Sequence, residues 1–233
     1  MATIFFCGDP HGRFTHIIRA VEKHAPTAIV LLGDQDCERP LDVELGAIMD
    51  KTKVYWITGN HDTDNEKNYD NLFESGLKGR NIQNGVVGIA GVTIAGLGGV
   101  FREKVWDGRA DSALSPANYL KTCGAGNRWR DGLPLRQRST IFPSQIKALS
   151  DMRVDVLVTH EAPDLHRHGN IALTRLAENL GVKKAFHGHH HQFIEYPGGV
   201  WNGVSLRGIV GMDTITFEIM EIEAGLGASK PFE

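Results

Sequence analysis

Short, continuous apolar runs recur along the chain. Four of them are TIFFC (residues 3–7), AIVLL (28–32), VYWI (54–57) and VDVLV (154–158). Runs of this length are typical of strands that are covered on both faces, because neither side of such a strand meets water. The pattern therefore predicts a set of buried strands.

Other segments have the spacing of amphipathic helices. Apolar residues recur at intervals of three and four in RFTHIIRAVEKH (residues 13–24) and in LTRLAENLG (173–181), where Gly181 is the predicted stop. Pro40 stands near the start of a similar pattern in RPLDVELGAIMD (39–50). Strands that alternate with helices predict a sheet with helices packed on its faces.

Two glycine-rich segments have a different pattern. GVVGIAGVTIAGLGG (residues 85–99) and FIEYPGGVWNGVSL (193–206) predict short strands joined by glycine turns, and TITFEIMEIE (214–223) predicts a last strand. This mixture favours two packed sheets over one doubly wound sheet. We expect a single domain over residues 1–233, in which residues 100–140 fit neither pattern and are interpreted as an insertion.

The composition narrows the class of protein. A net charge of −3 argues against a general nucleic-acid coat or a membrane-surface protein, and no apolar run approaches a membrane span. The N-terminus lacks the features of a signal peptide. Three widely spaced cysteines, Cys7, Cys37 and Cys123, indicate neither a disulfide framework nor a zinc knuckle. We therefore expect a cytoplasmic enzyme.

Metal-ligand residue types follow the four apolar runs and a fifth predicted strand, KKAF (residues 183–186). They occur in GDPHG (8–12), GD (33–34), TGNHD (58–62), THE (159–161) and HGHHH (187–191). Each has a structural explanation by itself, such as helix capping, but together they would meet at the carboxyl ends of the strands. Carboxylates, imidazoles and an amide without thiolates suit manganese, iron, zinc or cobalt. Their number exceeds one tetrahedral zinc site and fits two metals that share a carboxylate.

The order D-x-H, G-D, G-N-H-D, H and G-H-x-H resembles that of the calcineurin-like metallophosphoesterase superfamily, especially its small bacterial members. The motifs run from Asp9 to His191. The resemblance implies an α/β fold, namely a four-layer αββα sandwich of two mixed β-sheets flanked by helices, with a dimetal site at the C-terminal ends of the strands. It also implies a phosphoric ester hydrolase with two divalent metal ions. Manganese is expected, and iron, zinc, cobalt and nickel are the alternatives.

The resemblance assigns a role to each matching position of this sequence. The implied metal ligands are Asp9, His11 and His191 for the first ion, Asn60, His160 and His189 for the second, and Asp34 as the bridge between them. His61 would be the unliganded histidine that faces the phosphate. Asp62 is a second catalytic candidate, which would either orient His61 or cap a helix.

The chemistry implied by these roles is phosphate ester hydrolysis. A hydroxide that bridges the two metals would attack phosphorus in line with the leaving oxygen. His61 would stabilise the developing charge and protonate the leaving group. On an extended segment, His189 and His191 would project to the same side and His190 to the other.

One motif departs from that of the serine/threonine protein phosphatases. Their GDxVDRG corresponds here to GDQDCERP (residues 33–40), so Cys37 and Glu38 replace the Asp and Arg. Asp36 or Arg39 would have to substitute with a shift in position, and Arg39 is therefore a candidate substrate contact. A dedicated protein phosphatase is not expected.

The insertion differs from the rest of the chain in charge. Residues 100–140 contain eight basic and four acidic residues, a local charge of +4, whereas the remainder carries −7. Arg128 and Arg130, among aromatic residues, are candidates for binding an anionic or base-bearing part of a substrate. The alternative is a charged surface loop that is packed by its tryptophans.

Three functions remain open at this point. Hydrolysis of a small phosphomonoester or nucleotide is favoured. A phosphodiesterase or nuclease is the alternative that the basic insertion supports, although the negative net charge disfavours long nucleic acid. A non-catalytic scaffold is disfavoured because all seven ligand positions and His61 are present. No membrane partner is expected, and the sequence does not indicate an oligomeric state.

Overall fold

The computed structural model describes residues 2–222, which form eleven strands and six α-helices. The strands are β1 (Thr3–Cys7), β2 (Ala28–Leu31), β3 (Lys53–Trp56), β4 (Gly85–Ile89), β5 (Val92–Leu97), β6 (Val156–Thr159), β7 (Lys184–His187), β8 (Ile194–Glu195), β9 (Trp201–Gly203), β10 (Ile209–Asp213) and β11 (Ile219–Glu221). The helices are α1 (Thr15–His24), α2 (Leu41–Glu44), α3 (Glu66–Phe73), α4 (Pro116–Thr122), α5 (Pro143–Ser150) and α6 (Ile171–Leu180).

The strands form two mixed sheets. The first has the order β11-β10-β1-β2-β3, in which β1, β2 and β3 are parallel and β10 is antiparallel to both of its neighbours. The second has the order β4-β5-β6-β7-β9-β8, with a parallel centre from β5 to β9 and antiparallel strands at both edges. The parallel strands of each sheet therefore end at a common edge.

Alternation within the strands builds four layers. In β1, Ile4 and Phe6 face the other sheet, where Phe6 stacks on Phe186 of β7 at a centroid distance of 3.9 Å. Phe5 and Cys7, on the opposite face, pack against α1. The outer face of the second sheet packs in the same way against α5 and α6. Both faces of the central strands are covered, which explains their continuous apolar sequence and confirms the predicted αββα sandwich.

The helix predictions differ in their accuracy. Helices α1 and α6 form where the periodicity predicts them, and α6 ends at Gly181 with a left-handed φ of 68°. The helix in the segment 39–50 is shorter than predicted, because α2 has only four residues and is followed by a single 3-10 turn, Gly46–Ile48. A glycine inside a helix costs about 1 kcal/mol relative to alanine, which favours an end there. Helices α3, α4 and α5 have no counterpart among the sequence predictions.

The glycine-rich segments form strands and turns as predicted. Strands β4 and β5 are joined by a turn at Ala90 and Gly91, which both have positive φ. The segment 193–206 contributes the antiparallel pair β8 and β9. The predicted last strand is shorter, because residues 214–218 turn the chain before β11, and its final residue, Glu223, lies outside the described residues.

Residues 98–142 connect β5 to α5 and contain one α-helix, α4, with short 3-10 turns. Their treatment as an insertion within a single domain stays a prediction. In the part of the chain that the structure describes, the helices are too short or too polar to cross a membrane.

Candidate metal centre and active site

The predicted ligands meet because the strands that carry them are neighbours. Asp9 follows β1 and Asp34 follows β2, and these strands are parallel and adjacent. In the second sheet, His160 follows β6 and His189 follows the adjacent parallel strand β7. The packing of the two sheets brings both edges to one place.

Five candidate ligands have a backbone conformation that non-glycine residues rarely adopt. Their φ values are positive: Asp9 (36°), His11 (44°), Asp34 (51°), His189 (67°) and His191 (57°). Left-handed backbone at a residue with a Cβ atom costs free energy of order 1–3 kcal/mol and accumulates at functional sites. All five belong to groups of residues that could hold a metal ion.

Two glycines allow the loops to approach each other. A Cβ atom on Gly33 would overlap Nδ1 of His160, and φ at Gly33 is 105°. A Cβ atom on Gly59 would overlap Oδ1 of Asp34. Both positions therefore require glycine for the candidate ligands to come together.

The first group of candidate ligands consists of Asp9, His11 and His191. The Nε2 atoms of His11 and His191 lie 3.2 Å apart. His11 Nδ1 lies 2.6 Å from Oδ2 of Asp36, which assigns the proton to Nδ1 and leaves the Nε2 lone pair facing the group. Asp36 therefore orients a candidate ligand and does not contact the side chain of His61.

The second group consists of Asp34, His160 and His189, with Asn60 beside it. His160 Nδ1 donates to the carbonyl oxygen of Leu32 at 2.8 Å, which directs Nε2 toward the other ligands. Nε2 lies 3.1 Å from Oδ1 of Asn60 and 3.4 Å from Oδ2 of Asp34. The Asp34 carboxylate raises the pKa of His160, so without a metal a proton on Nε2 offsets this negative charge, and a cation bound here would take the place of that proton.

The electrostatics of the two groups are linked. Asp9 is completely buried, and burial raises the pKa of its carboxyl to about 6; the nearby Asp34 carboxylate also raises it. Burial lowers the pKa of His189 to about 4, which favours neutral imidazole. The pKa of His11 is raised by its hydrogen bond to Asp36 and by the charge of Asp34, and Asp34 also raises the pKa of His160. A divalent cation bound here would displace these protons and stabilise the ionised carboxylates and neutral imidazoles.

His61 lies beside the candidate ligands without belonging to either group. Its ring is 5.5 Å from that of His11, and its backbone N–H donates to Oδ1 of Asp34 at 2.9 Å. Its side chain is 47% exposed, and Nδ1 is 2.7 Å from Oδ2 of Asp64. Nε2 is thus the nitrogen available to a substrate.

The prediction that Asp62 would orient His61 is corrected by the structure. The Asp62 side chain is buried and accepts hydrogen bonds from four backbone N–H groups instead. These donors are Gly59 (2.8 Å), Gln35 (2.8 Å), Asp34 (3.1 Å) and Asp36 (3.2 Å). Asp62 therefore holds the loop after β2 against the loop after β3.

The histidine run is not an extended segment, so the alternation argument was wrong about its conformation. Strand β7 ends at His187, and the left-handed φ values of His189 and His191 bend the chain after it. The run nevertheless places His191 in the first group and His189 in the second, whereas His190 joins Glu161 and His189 in a third group of possible ligands. His190 Nε2 lies 3.4 Å from Oε1 of Glu161, and its ring stacks on His166 at 3.9 Å.

The three predicted substrate arginines are engaged by other partners. Arg39 makes a salt bridge of 3.0 Å to Glu44. Arg128 donates to the carbonyl oxygen of Leu120. Arg130 forms two hydrogen bonds with Asp70, at 2.6 and 2.9 Å, and stacks on a tryptophan. The structure brings none of these guanidinium groups into contact with the candidate ligands, and it therefore lends no support to the predicted substrate contacts.

Sequence reasoning missed two residues beside the site. Asp64 is the hydrogen-bond partner of the His61 side chain. The only signal of this contact in the sequence is the spacing of three residues, because side chains three positions apart on a 3-10 turn lie above one another. Glu161 is buried, with Oε1 3.8 Å from Nε2 of His189. Glu161 also lines an open cavity of about 780 Å³, together with Phe101 and Trp106.

Three similarities to known proteins accompany this geometry. The calcineurin-like phosphoesterase family matches residues 2–193. An uncharacterized protein of Haemophilus influenzae is 39% identical over 194 residues, which cover 83% of this chain and 85% of the relative. The crystal structure of TT1561 of Thermus thermophilus has the same fold, with a TM-score of 0.64 and 12% identity over 96% of this chain and 99% of the other.

Proposed function

Since this chain belongs to the calcineurin-like phosphoesterase family and is a phosphoric ester hydrolase, we propose that it hydrolyses a small phosphomonoester or nucleotide with two divalent metal ions. The family membership supports ester hydrolysis. The size of the substrate and the number of metals are the parts that we propose.

One observation carries the two-metal proposal. Candidate ligand atoms converge in two neighbouring groups, around Nε2 of His160 and at the facing Nε2 atoms of His11 and His191. Asp34 belongs to the second group, and its charge reaches the first. Such an arrangement is costly without cations and favourable with them.

We propose that each group holds one metal ion. The ligands would be Asp9, His11 and His191 for one ion, Asn60, His160 and His189 for the other, and Asp34 for both. Bound there, the two ions would supply Lewis acidity to the phosphoryl oxygens and lower the pKa of water. Nitrogen and oxygen ligands without thiolates favour manganese, with iron, zinc, cobalt or nickel as alternatives.

His61 would act on the leaving oxygen. Asp64 accepts the Nδ1 proton, so a protonated Nε2 can donate to the oxygen that departs from phosphorus. The exposed position of the ring lets a substrate reach it from solvent. The leaving group would therefore lie on the His61 side of the site, in line with the attacking hydroxide.

A phosphodiesterase remains the alternative, but the arginines that were expected to bind a longer substrate have protein partners in the structure. We also propose a cytoplasmic location, in keeping with three free cysteines.

The test begins with protein freed of metal by a chelator and reloaded separately with each candidate metal. Activity is then measured on phosphomonoesters, phosphodiesters and dinucleoside polyphosphates. We expect two metal equivalents and a preference for monoesters or nucleotides. Preference for simple diesters would favour the alternative, and the absence of both metal and activity would contradict the proposal.

The matched variants are Asp34→Asn and Asp155→Asn. Asp34→Asn removes a charge that acts on both groups, so we expect loss of both metals and of turnover. Asp155 is also a bonded carboxylate, but it contacts Thr93 and Lys183 away from the ligands. Its variant should keep two metals. Two full equivalents with retained activity in Asp34→Asn would exclude a bridging role.

A further inference from the structure

Two arginines of the segment between β5 and α5 are linked through Ser139. Arg102 donates from Nε to Oγ1 of Thr140 and from Nη2 to Oγ of Ser139, both at 3.1 Å. The same Ser139 hydroxyl donates to the carbonyl oxygen of Arg136 at 3.3 Å. Ser139 thus ties the guanidinium of Arg102 to the 3-10 turn that carries Arg136.

Ser139 also connects this pair to the active site. Its Oγ atom lies 2.7 Å from Oγ1 of Thr63, the last residue of the 3-10 turn that begins at His61. Thr63 Oγ1 also lies 3.4 Å from the carbonyl oxygen of Asn60. The charge of Arg102 acts on Asp64, the partner of His61. The arginine pair therefore lies on the His61 side of the metal ligands.

The charges of the pair are not neutralised by contacts within residues 2–222. Arg130 and Arg39 have carboxylate partners within 4.0 Å, whereas neither Arg102 nor Arg136 has one. Arg102 is half-buried, and burial together with the charge of Arg136 lowers its pKa. Two like charges held together in this way are destabilised unless an anion joins them.

We propose that Arg102 and Arg136 form an anion subsite that binds a second phosphate group, carried by the leaving group of the substrate. This inference rests on the proposed function, because the role of His61 as general acid places the leaving group on its side. The substrate class is then a compound with at least two phosphates, such as a nucleoside polyphosphate or a bisphosphate, instead of a simple monoester.

Phosphate fits this subsite better than a neutral group does. Guanidinium groups bind phosphate oxygens through parallel N–H donors. Nη1 of Arg102 has no hydrogen-bond partner among the described residues, and neither does the Arg136 side chain, so their donors are available to a ligand. The phosphoryl group that is transferred would be held by the metals and His61, which leaves the arginines for another phosphate.

The test measures binding to the metal-loaded protein by calorimetry at fixed free metal. The probes are inorganic phosphate and inorganic pyrophosphate. Arg136→Gln should weaken pyrophosphate binding about tenfold relative to phosphate binding, as expected for one charge-assisted contact. Arg109→Gln, which neutralises an exposed arginine of the same segment, is the control and should leave that ratio unchanged.

Arg102→Gln gives a second measurement, but its bonds to Ser139 and Thr140 also support the fold. Arg136→Gln, without such bonds, therefore decides the outcome. If binding of both probes weakens equally, the arginines contact the transferred phosphoryl group. If neither changes, they contact no phosphate. Both results leave the ratio unchanged and overturn the subsite. If the unmodified protein hydrolyses aryl phosphate but the ratio does not change, this inference alone fails. If it hydrolyses no ester with any metal, the proposed function fails instead.

Discussion

Nδ1 of His61 lies 2.7 Å from Oδ2 of Asp64, the residue that follows the 3-10 turn His61–Thr63. This contact places one proton on Nδ1 and directs Nε2 away from the carboxylate. The neighbouring Asp62 bonds backbone N–H groups and leaves the imidazole alone. The carboxylate that orients the histidine is therefore three residues from it in sequence.

Replacing His61 by alanine should leave both metals bound and lower kcat about 10²–10⁴-fold, the usual loss for a general acid. Asp64→Asn should lower kcat about 10–100-fold, because an orienting partner typically contributes that much. If Asp64 acts only through His61, adding Asp64→Asn to His61→Ala should cost nothing more. Steady-state kinetics of the three variants give the answer, and additive losses would assign Asp64 an independent role.

Asp62→Ala should destabilise the fold by about 3 kcal/mol or more, since four buried N–H groups lose their acceptor. It should also weaken metal binding, because the loops that carry Asp34 and Asn60 come apart. Urea unfolding of the metal-free protein and metal analysis measure the two effects. A variant with unchanged stability and a slower reaction would restore Asp62 as the partner of His61.

The three histidines of the run should differ in their effect on metal content. His189→Ala should lose the ion beside Asp34, and His191→Ala the ion beside His11. His190→Ala should keep both, because its nearest partner is Glu161. Metal stoichiometry of the three alanine variants, purified in parallel, decides this. Loss of an ion in His190→Ala with both retained in the others would overturn the grouping.

Asp155 gives a prediction about stability and pH that does not depend on metal. A hydrogen bond from Lys183, and others from Thr93, lower the pKa of its carboxyl from 3.8 to about 2. Because the folded-state pKa lies below the unfolded one, this stabilisation is complete above about pH 4 and is lost as the pH falls toward 2.

Asp155→Asn should therefore lower the unfolding free energy by about 1–2 kcal/mol at pH 7 and by progressively less between pH 4 and pH 2. Urea unfolding of metal-free protein at several pH values measures the difference. A difference that widens as the pH falls would show that the carboxyl has a raised pKa, and the assigned contacts would be wrong.

The order of residue types along the chain was enough to predict two packed sheets with metal-ligand residues at the strand ends, and the family resemblance implied the four-layer fold and the individual ligands. Continuous apolar runs predict strands covered on both faces, and the polar residues that follow them meet because parallel strands end at one edge. The strand prediction depends on the apolar character of short segments, and the prediction of a shared site depends on the residue types that follow those segments. Both properties can be read from the local sequence. The length of helix α2 was overestimated because Gly46 interrupts the apolar pattern, and the sequence pattern did not predict helices α3 to α5.

Contacts between residues far apart in sequence required the tertiary structure. His11 meets Asp36, Arg102 meets Ser139, and Asp62 faces the loop after β2 only because the sheets bring separate loops together. The histidine run shows the same limit, since backbone bends at His189 and His191, not strand alternation, direct the side chains. Residue types determine which chemistry is available to this chain, whereas side-chain partners depend on backbone angles and packing that no short sequence pattern specifies.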